Sequence, residues 1–407
     1  MDSLITAAAS ALAAGDPFAA LNRVALREDP PALALRGIAM AQLGDFSRAR
    51  ALLRRAARGF GNHEPVERAR CRVAEAEVAL ASRELNWPTA PLEQATQVLQ
   101  HYGDADNAAH ARYLLIRRAL LIGQLDAASA ALATLEPAAL PAHLRAVHWL
   151  IVSGIAVRRL QATQARAALG QAADAAAASG IAALRAEVDQ AAQLLAAPAA
   201  RRIDRQATLL LSLDQVEALL HSDALVIDAC RHRVGHLSLA SRPLLFALAR
   251  ALGEAWPDDV ARTDLINRVF RTRHPDDTHR ARLRVEIGRL RRLLQPLAGI
   301  ESTPRGYRLV AANPLVLAPP REEANADVLA LLSDGQAWAS SALALALGTS
   351  QRSVQRALEA LAGAGQVQAL GQGRTRRWTL PPAPGFATTL LLPAPCLLYT
   401  SPSPRDK

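Results

Sequence analysis

A helical pattern broken by a Gly-Asp turn is the feature of the first half of the chain that most restricts its fold. In "LALRGIAMAQLGDFSRARALLRRAA" (Leu33–Ala57), small and apolar residues recur at helical spacing on both sides of Gly44. Small residues at Gly37, Ala49 and Ala56 let two antiparallel helices approach closely. A helix pair of this kind buries a face only by stacking on neighbouring pairs, so we expect an extended array.

Further copies of the pattern support an array. One lies in "RYLLIRRALLIGQLDAASAALATL" (Arg112–Leu135), and a weaker one, a residue out of step, spans Gly154–Ala173. The pattern resembles the tetratricopeptide repeat, a helix pair of about 34 residues. The resemblance implies a repeat superhelix over residues 1–198 whose concave face binds a protein or peptide. The alternative for this segment is a plain helical bundle without a ligand.

Composition sets the fold class and excludes several enzyme classes. Apolar residues make up 51% of the 407 residues and aromatic residues only 4%, which is typical of helices packed through small side chains. We therefore expect a mainly α protein with small β hairpins and several domains. The single lysine is Lys407. A phosphate-binding GxxxxGK[ST] loop and a pyridoxal Schiff base each need a lysine that the body of the chain lacks.

The remaining composition favours a cytoplasmic protein with a polyanionic partner. The net charge is +10, which favours nucleic acid or an acidic surface. Cys71, Cys230 and Cys396 are odd in number and far apart, so neither a disulfide framework nor a cysteine metal site is expected. The start of the chain has no basic region of the kind that begins a signal peptide, so no signal peptide is expected. The sequence contains no apolar run of about 18 residues, so no membrane span is expected.

An arginine-rich helix is the clearest functional feature. In "PDDTHRARLRVEIGRLRRLLQP" (Pro275–Pro296), Leu283, Ile287, Leu290 and Leu294 lie at i, i+4, i+7 and i+11 and define one buried face. The arginines lie off that face or at its edges. A helix about 10–12 Å wide fits the major groove of B-form DNA, where guanidinium groups match guanine edges and phosphates.

The elements around this helix resemble a known DNA-binding domain. "ALVIDACRHRVGHLSL" predicts a strand pair, "SRPLLFALARALGEAW" and "RTDLINRVF" predict two helices, and "IESTPRGYRLV" predicts a hairpin around Pro304-Arg305-Gly306. This order and the motifs "VEIGRLRRLL" and "IESTPRGYRL" resemble the winged-helix domain of OmpR/PhoB-type regulators. The resemblance covers residues 205–312 and implies a recognition helix from about Thr278 to Leu294.

The candidate DNA contacts of this first module are arginines of the helix and the hairpin. The alternative is a solvated face with pairs inside the helix, for which only Glu286 offers a partner. The candidates are Arg280, Arg282, Arg284, Arg289, Arg291, Arg292 and Arg305.

A second candidate module spans residues 322–381. Three helices and a hairpin turning at Gly371-Gln372-Gly373 are predicted, and "TSQRSVQRALEALAGAGQV" resembles winged-helix repressor domains. The alternative is a helical dimerisation or docking module, because winged helices also bind proteins. By the resemblance, the groove-facing residues are Gln351, Arg352, Ser353, Gln355 and Arg356, and the phosphate contacts are Arg374, Arg376 and Arg377.

These observations together predict a sequence-specific, DNA-binding transcriptional regulator. Its expected partners are double-stranded DNA, a protein or peptide on the repeat domain, and RNA polymerase as a further candidate. No catalytic motif, metal site or cofactor site is recognised, so an enzyme is not expected. The rival interpretation is a repeat-based interaction scaffold whose winged helices bind proteins. Residues 382–407, which lose the upstream pattern, are expected to be a disordered, non-native tail.

Overall fold

The structure is a computed structural model. It describes residues 2–82, 84–203, 208–239, 242–270, 272, 275–320, 325–332, 337–347, 349–364, 366–373 and 376–379. The predicted tail and Arg374 lie outside these residues. The chain is mainly helical with small sheets, which confirms the predicted class.

Two compact units divide the chain. The first comprises Met1–Arg158, Gln164–Gln193 and the residues from Asp327 onward, and the second comprises Arg159–Thr163 and Leu194–Ala326. No helix in the described part of the chain has the length and hydropathy needed to cross a membrane.

Consecutive helices form most of the first unit. Each helix from α1 to α8 packs on the next one, and α1, α3, α5 and α7 also pack on one another in that order. The helices are α1 (Ser3–Ala13), α2 (Pro17–Val24), α3 (Pro30–Gln42), α4 (Phe46–Phe60), α5 (Pro65–Ala81), α6 (Ala90–His101), α7 (Ala105–Leu121), α8 (Leu125–Leu132), α9 (Ala142–Arg158), α10 (Ala162–Ser179) and α11 (Ala182–Ala196), with a 3-10 turn at Pro137–Ala139.

The pair α3–α4 explains the predicted small residues. A Cβ placed on Gly37 would lie 2.8 Å from Cγ of Leu53 and 3.1 Å from the carbonyl oxygen of Ala49, so the two helices need glycine there. Gly44 supplies the turn with a positive φ of 83°. Asp45 then caps α4, because its Oδ1 accepts a hydrogen bond from the backbone N of Arg48 at 3.0 Å. The predicted close approach and turn are confirmed.

The C-terminal elements of the first unit share a hydrophobic cluster with the N-terminal helices. Trp338 and Trp378 exchange two backbone hydrogen bonds of 2.7 Å, and both side chains are buried. The predicted hairpin is confirmed as an antiparallel strand pair. The elements are α16 (Ala326–Leu332), α17 (Ser340–Leu347), α18 (Gln351–Gly363), β10 (Gln368–Leu370) and β11 (Arg377–Thr379).

Two sheets, of six and three strands, and four helices build the described part of the second unit. In the larger sheet the strand order is β2-β1-β9-β3-β4-β5, and β3 and β9 are the parallel pair. The elements of this sheet are β1 (Ala200–Ile203), β2 (Thr208–Leu211), β3 (Leu225–Asp228), β4 (Arg233–Val234), β5 (Leu237–Ser238) and β9 (Pro314–Ala318). A second sheet of order β6-β8-β7 contains β6 (Val260–Ala261), β7 (Gly299–Ser302) and β8 (Gly306–Val310), and the helices are α12 (Leu213–Leu220), α13 (Pro243–Ala255), α14 (Arg262–Phe270) and α15 (Asp277–Leu294).

The larger sheet corrects two sequence predictions. A strand pair was expected between Ala224 and Leu239, and three short strands form there within a wider sheet. The two modules predicted over residues 205–312 and 322–381 leave the segment between them without a predicted strand, but Pro314–Ala318 is a wholly buried strand. Val316 packs with the helices α13–α15 on one face, and Leu315 and Leu317 pack on the opposite face. A strand buried on both faces is an uninterrupted apolar run and lacks the alternation that marks a half-exposed strand.

Candidate nucleic-acid interface

Helix α15 begins and packs as its sequence predicts. Asp276 caps it, because Oδ1 accepts a hydrogen bond from the backbone N of His279 at 2.9 Å. That bond, together with one from the His279 side chain, lowers the pKa of Asp276 below its usual value. The four predicted inward residues are buried, and Glu286 is buried beside them at 8% exposure. The opposite side of the helix is left to solvent.

The arginines of α15 fall into two groups by their contacts. Arg284 and Arg292 are exposed, and neither has an ion pair, hydrogen bond or ring contact with another described residue. Three more are exposed but engaged. Arg280 pairs with Asp277 at 3.0 Å, Arg282 lies 4.8 Å from the ring centre of Phe270, and Arg289 pairs with Glu286 at 2.9 Å. The Arg280–Asp277 pair is exposed and therefore weak, and the Arg289 side chain is 58% exposed although Glu286 is buried, so these guanidinium groups can still reach an anion.

Arg291 holds the hairpin onto α15. Its Nε donates to the carbonyl oxygen of Ile300 at 2.7 Å, and a terminal nitrogen donates to Oγ of Ser302 at 2.8 Å. Both acceptors belong to β7. The guanidinium group is therefore engaged in fixing the strand beside the helix, and we assign it a positioning role in place of the direct DNA contact expected from the sequence.

The hairpin β7–β8 is built as predicted and carries Arg305 at its tip. Ile300 pairs with Leu309 in the antiparallel register. Arg305 is exposed, and its guanidinium group lies 3.9 Å from Asp259. Arg262, which the sequence did not single out, donates to the carbonyl oxygens of Pro304 at 2.7 Å and Thr303 at 2.9 Å. These bonds fix the turn that presents Arg305.

A cavity on the flank of α15 adds a residue that sequence reasoning missed. It has a volume of about 630 Å³. Arg242, at the start of α13, is exposed, and like Arg292 its side chain makes no hydrogen bond or ion pair with another described residue. Only a packed structure brings this arginine beside α15, because about fifty residues separate them. The lining residues are Arg242, Leu244, Leu245, Glu286, Arg289, Arg292 and Leu293.

Helix α18 of the C-terminal module presents part of its predicted set to solvent. Ser350 caps the helix and accepts a bond from the backbone N of Ser353 at 3.1 Å, and Gln351 donates from its side chain to Oγ of Ser340 at 3.0 Å. These two contacts fix the first turn of the helix. The remaining candidates of α18, which are exposed and have no polar contact with any described residue, are Arg352, Gln355 and Arg356.

The arginines of the β10–β11 hairpin are differently placed. Arg376 is exposed, and its guanidinium group lies 4.3 Å from the ring centre of Trp378. Arg377 is only 16% exposed and forms an ion pair with Glu84, which also pairs with Arg50. The structure thus uses Arg377 to attach the hairpin to the N-terminal helices, so the expected phosphate contact would require this pair to break.

No set of three or more histidine, cysteine or acidic side chains in the described ranges is arranged to hold a metal ion. Comparison with protein-family models, curated proteins and solved structures gives no match. What the chain does must therefore be argued from its own geometry.

Proposed function

We propose that the chain is a sequence-specific, DNA-binding transcriptional regulator whose first reading module is a winged helix of the OmpR/PhoB type. The observation that carries the proposal is the outward face of α15. Six arginines and two acidic residues lie between Asp277 and Leu294, and Arg284 and Arg292 have no partner among the described residues. Uncompensated guanidinium groups at this density favour a polyanion.

The outward face also has the shape that a groove requires. Ala281, Val285 and Gly288 follow one another at i, i+4 and i+7, and Val285 is 54% exposed. A Cβ on Gly288 would meet nothing within 4 Å, so packing does not require the glycine. These three small residues would let the helix approach the base edges of a major groove, where apolar groups contact thymine methyl groups. Arg284 and Arg289 lie on either side of them in the sequence of the helix.

The supporting elements fit the same mode of binding. Arg305 at the hairpin tip and Arg242 in the wall of the cavity beside α15 add exposed positive charge to this unit. Phosphate contacts from such arginines fix the orientation of a recognition helix, while contacts in the groove supply sequence preference.

We propose that the N-terminal helices form a tetratricopeptide-like superhelix that senses or recruits a partner. The packing of each helix on the next, with glycine turns at Gly15, Gly44, Gly103 and Gly123, supports this reading. The elements from α16 to β11 are proposed as a second winged helix. Arg377 attaches the hairpin of this module to Glu84 of the N-terminal segment, which favours the rival role, protein binding, for the hairpin. Helix α18, in contrast, has exposed Gln and Arg side chains that are suited to DNA.

The double substitution Arg289→Ala with Arg292→Ala tests the proposal. Duplexes bound by the full chain are first selected from a random pool, and affinity is then measured by gel-shift titration. We expect a loss of about 10-fold or more, because two groups that contact phosphates or bases are removed. If both groups contact phosphate, the slope of log affinity against log salt falls by about 2.

The matched control removes the same charge elsewhere. Arg48→Ala with Arg58→Ala changes two exposed arginines of α4 in the other compact unit, and we expect DNA affinity to stay within about two-fold of the parent value. Equal losses in both variants would indicate charge alone and would remove α15 from the interface. A chain that binds no duplex at low salt would favour the scaffold interpretation.

A further inference from the structure

A cavity in the N-terminal helical segment lies among α4, α5 and the start of α6. Its volume is about 250 Å³, slightly below the range of about 300–1,000 Å³ that drug-sized ligands occupy. Arginines line one part of it, and flat or apolar side chains line the other. The polar residues of the wall are Arg50, Arg54, Arg72 and Glu75, and the apolar and aromatic residues are Ala76, Ala79, Trp87, Pro88, Pro91 and Leu92.

The charges on the wall are unbalanced. Among the described residues that line the cavity, Glu75 is the one carboxylate, and it accepts from Arg54 at 2.5 Å and from Arg72 at 3.0 Å. Arg50 pairs with Glu84, which does not line the cavity. Arg54 and Arg72 thus share one carboxylate, and the described wall carries three guanidinium groups against that single carboxylate, which disfavours a cation and favours an anion.

Two buried hydrogen-bond donors on the same wall have no acceptor. Nε1 of Trp87 and Nε of Arg50 are both shielded from solvent, and neither has a hydrogen-bond partner in the described part of the chain. A buried donor without an acceptor is unfavourable. The indole ring itself is held in place, because Arg118 lies 5.1 Å from its centre and donates to the carbonyl oxygen of Leu85 at 3.0 Å.

We propose that this cavity binds a small aromatic carboxylate. A carboxylate matches the fork of an arginine side chain and supplies acceptors to a wall rich in donors. The aromatic part fits against Trp87, Pro88 and Leu92, where stacking and burial of apolar surface stabilise it. This proposal rests on the sensing role proposed for the helical segment, and it specifies a small molecule, not a peptide, as the ligand.

The position of Arg50 couples the cavity to the C-terminal hairpin. Glu84 accepts from Arg50 through Oε2 and from Arg377 of β11 through Oε1. A bound carboxylate that takes Arg50 competes with Glu84 for the same cation. Because two cations that share one carboxylate compete for it, a ligand that draws Arg50 away leaves Glu84 to Arg377 and strengthens the pair that attaches β10–β11, and by linkage the attached hairpin favours binding of the ligand.

Calorimetric titration of the full chain with benzoate tests the site. We expect saturable binding with one site per chain and a dissociation constant of about 1 mM or below, which corresponds to about −4 kcal/mol. Benzylamine, which has the same ring and the opposite charge, is expected not to bind. Inorganic phosphate is expected to bind at least about 10-fold more weakly than benzoate, because it lacks the ring. Phosphate binding as tight as benzoate binding would overturn the aromatic assignment.

Variants locate the binding. Arg54→Gln with Arg72→Gln is expected to weaken benzoate binding about 10-fold or more, and the matched pair Arg48→Gln with Arg58→Gln is expected to leave it unchanged. If the first pair fails to fold, Arg72→Lys keeps the charge, loses the fork and is expected to weaken binding several-fold. Absence of saturable benzoate binding, or binding that is equal in all variants, overturns the proposal.

The coupling has a separate readout. Benzoate is expected to lower hydrogen exchange in residues 368–379 of the parent chain and to change it less in Glu84→Gln, in which the bridge is already weakened. Unchanged exchange on saturation would overturn the coupling and leave the site itself standing. None of these measurements uses DNA, so failure of the cavity and failure of the regulator proposal are distinguishable.

Discussion

Replacing Arg70 by methionine is expected to lower the free energy of unfolding by about 3–5 kcal/mol, as is usual when one partner of a buried ion pair is removed. Arg70 on α5 donates from Nε to Asp104 at 2.7 Å, and the two side chains are 4% and 7% exposed. The substitution leaves a buried carboxylate that still accepts hydrogen bonds from the backbone and side-chain nitrogens of Asn107 but has lost its charged partner. Asp104 also caps α7, so the loss acts at the contact between α5 and α7.

Urea unfolding of the full chain, followed by far-ultraviolet circular dichroism, measures this loss. The double variant Arg70→Met with Asp104→Asn removes both charges and keeps a side chain that can cap α7. We expect it to be less destabilised than Arg70→Met alone, because no unpaired charge remains buried. The matched control Arg55→Met breaks an exposed pair with Glu28 and is expected to move the midpoint very little. Equal midpoint shifts for Arg55→Met and Arg70→Met would contradict the argument.

Replacing Gly306 by alanine is expected to destabilise the second unit by about 3 kcal/mol, near the upper end of the cost of overpacking a core. A Cβ at this position would lie 1.7 Å from the carbonyl oxygen of Val260 and 2.7 Å from its carbonyl carbon. Both are backbone atoms of β6, which pairs with β8 through Val260–Tyr307 and Ala261–Gly306. A backbone atom cannot rotate aside, so the two strands must separate.

Hydrogen exchange by mass spectrometry locates the effect of Gly306→Ala. Relative to the parent chain, we expect hydrogen exchange to become faster in residues 259–261 and 299–310. Exchange in α3 and α4, which belong to the other unit, is expected to stay unchanged. The matched control is Gly288→Ala on the outer side of α15, where a Cβ meets open space. This variant is expected to be more stable by up to about 1 kcal/mol, because alanine has the higher helix propensity. Unchanged exchange in the three-stranded sheet of Gly306→Ala would show that the strands tolerate the added methyl group.

Several features followed from the sequence because they depend on residues close together in the chain. The buried face of α15 is set by a period of 3.6 residues, and the turn at Gly44-Asp45 needs a glycine with positive φ followed by a capping aspartate. The β7–β8 hairpin joins adjacent segments around Pro304-Arg305-Gly306. Local periodicity and turn chemistry were sufficient for each of these.

Only the tertiary structure decided which strands meet and which charges are already engaged. β3 pairs with β9 about ninety residues further on, and the apolar run Pro314–Ala318 carries no alternation to show that it is a strand buried on both faces. The sequence does not distinguish Arg291 and Arg377 from the neighbouring arginines. In the structure, Arg291 fixes β7 and Arg377 pairs with Glu84. The partners of these residues are chosen by packing between distant segments, and a local pattern contains no information on that choice.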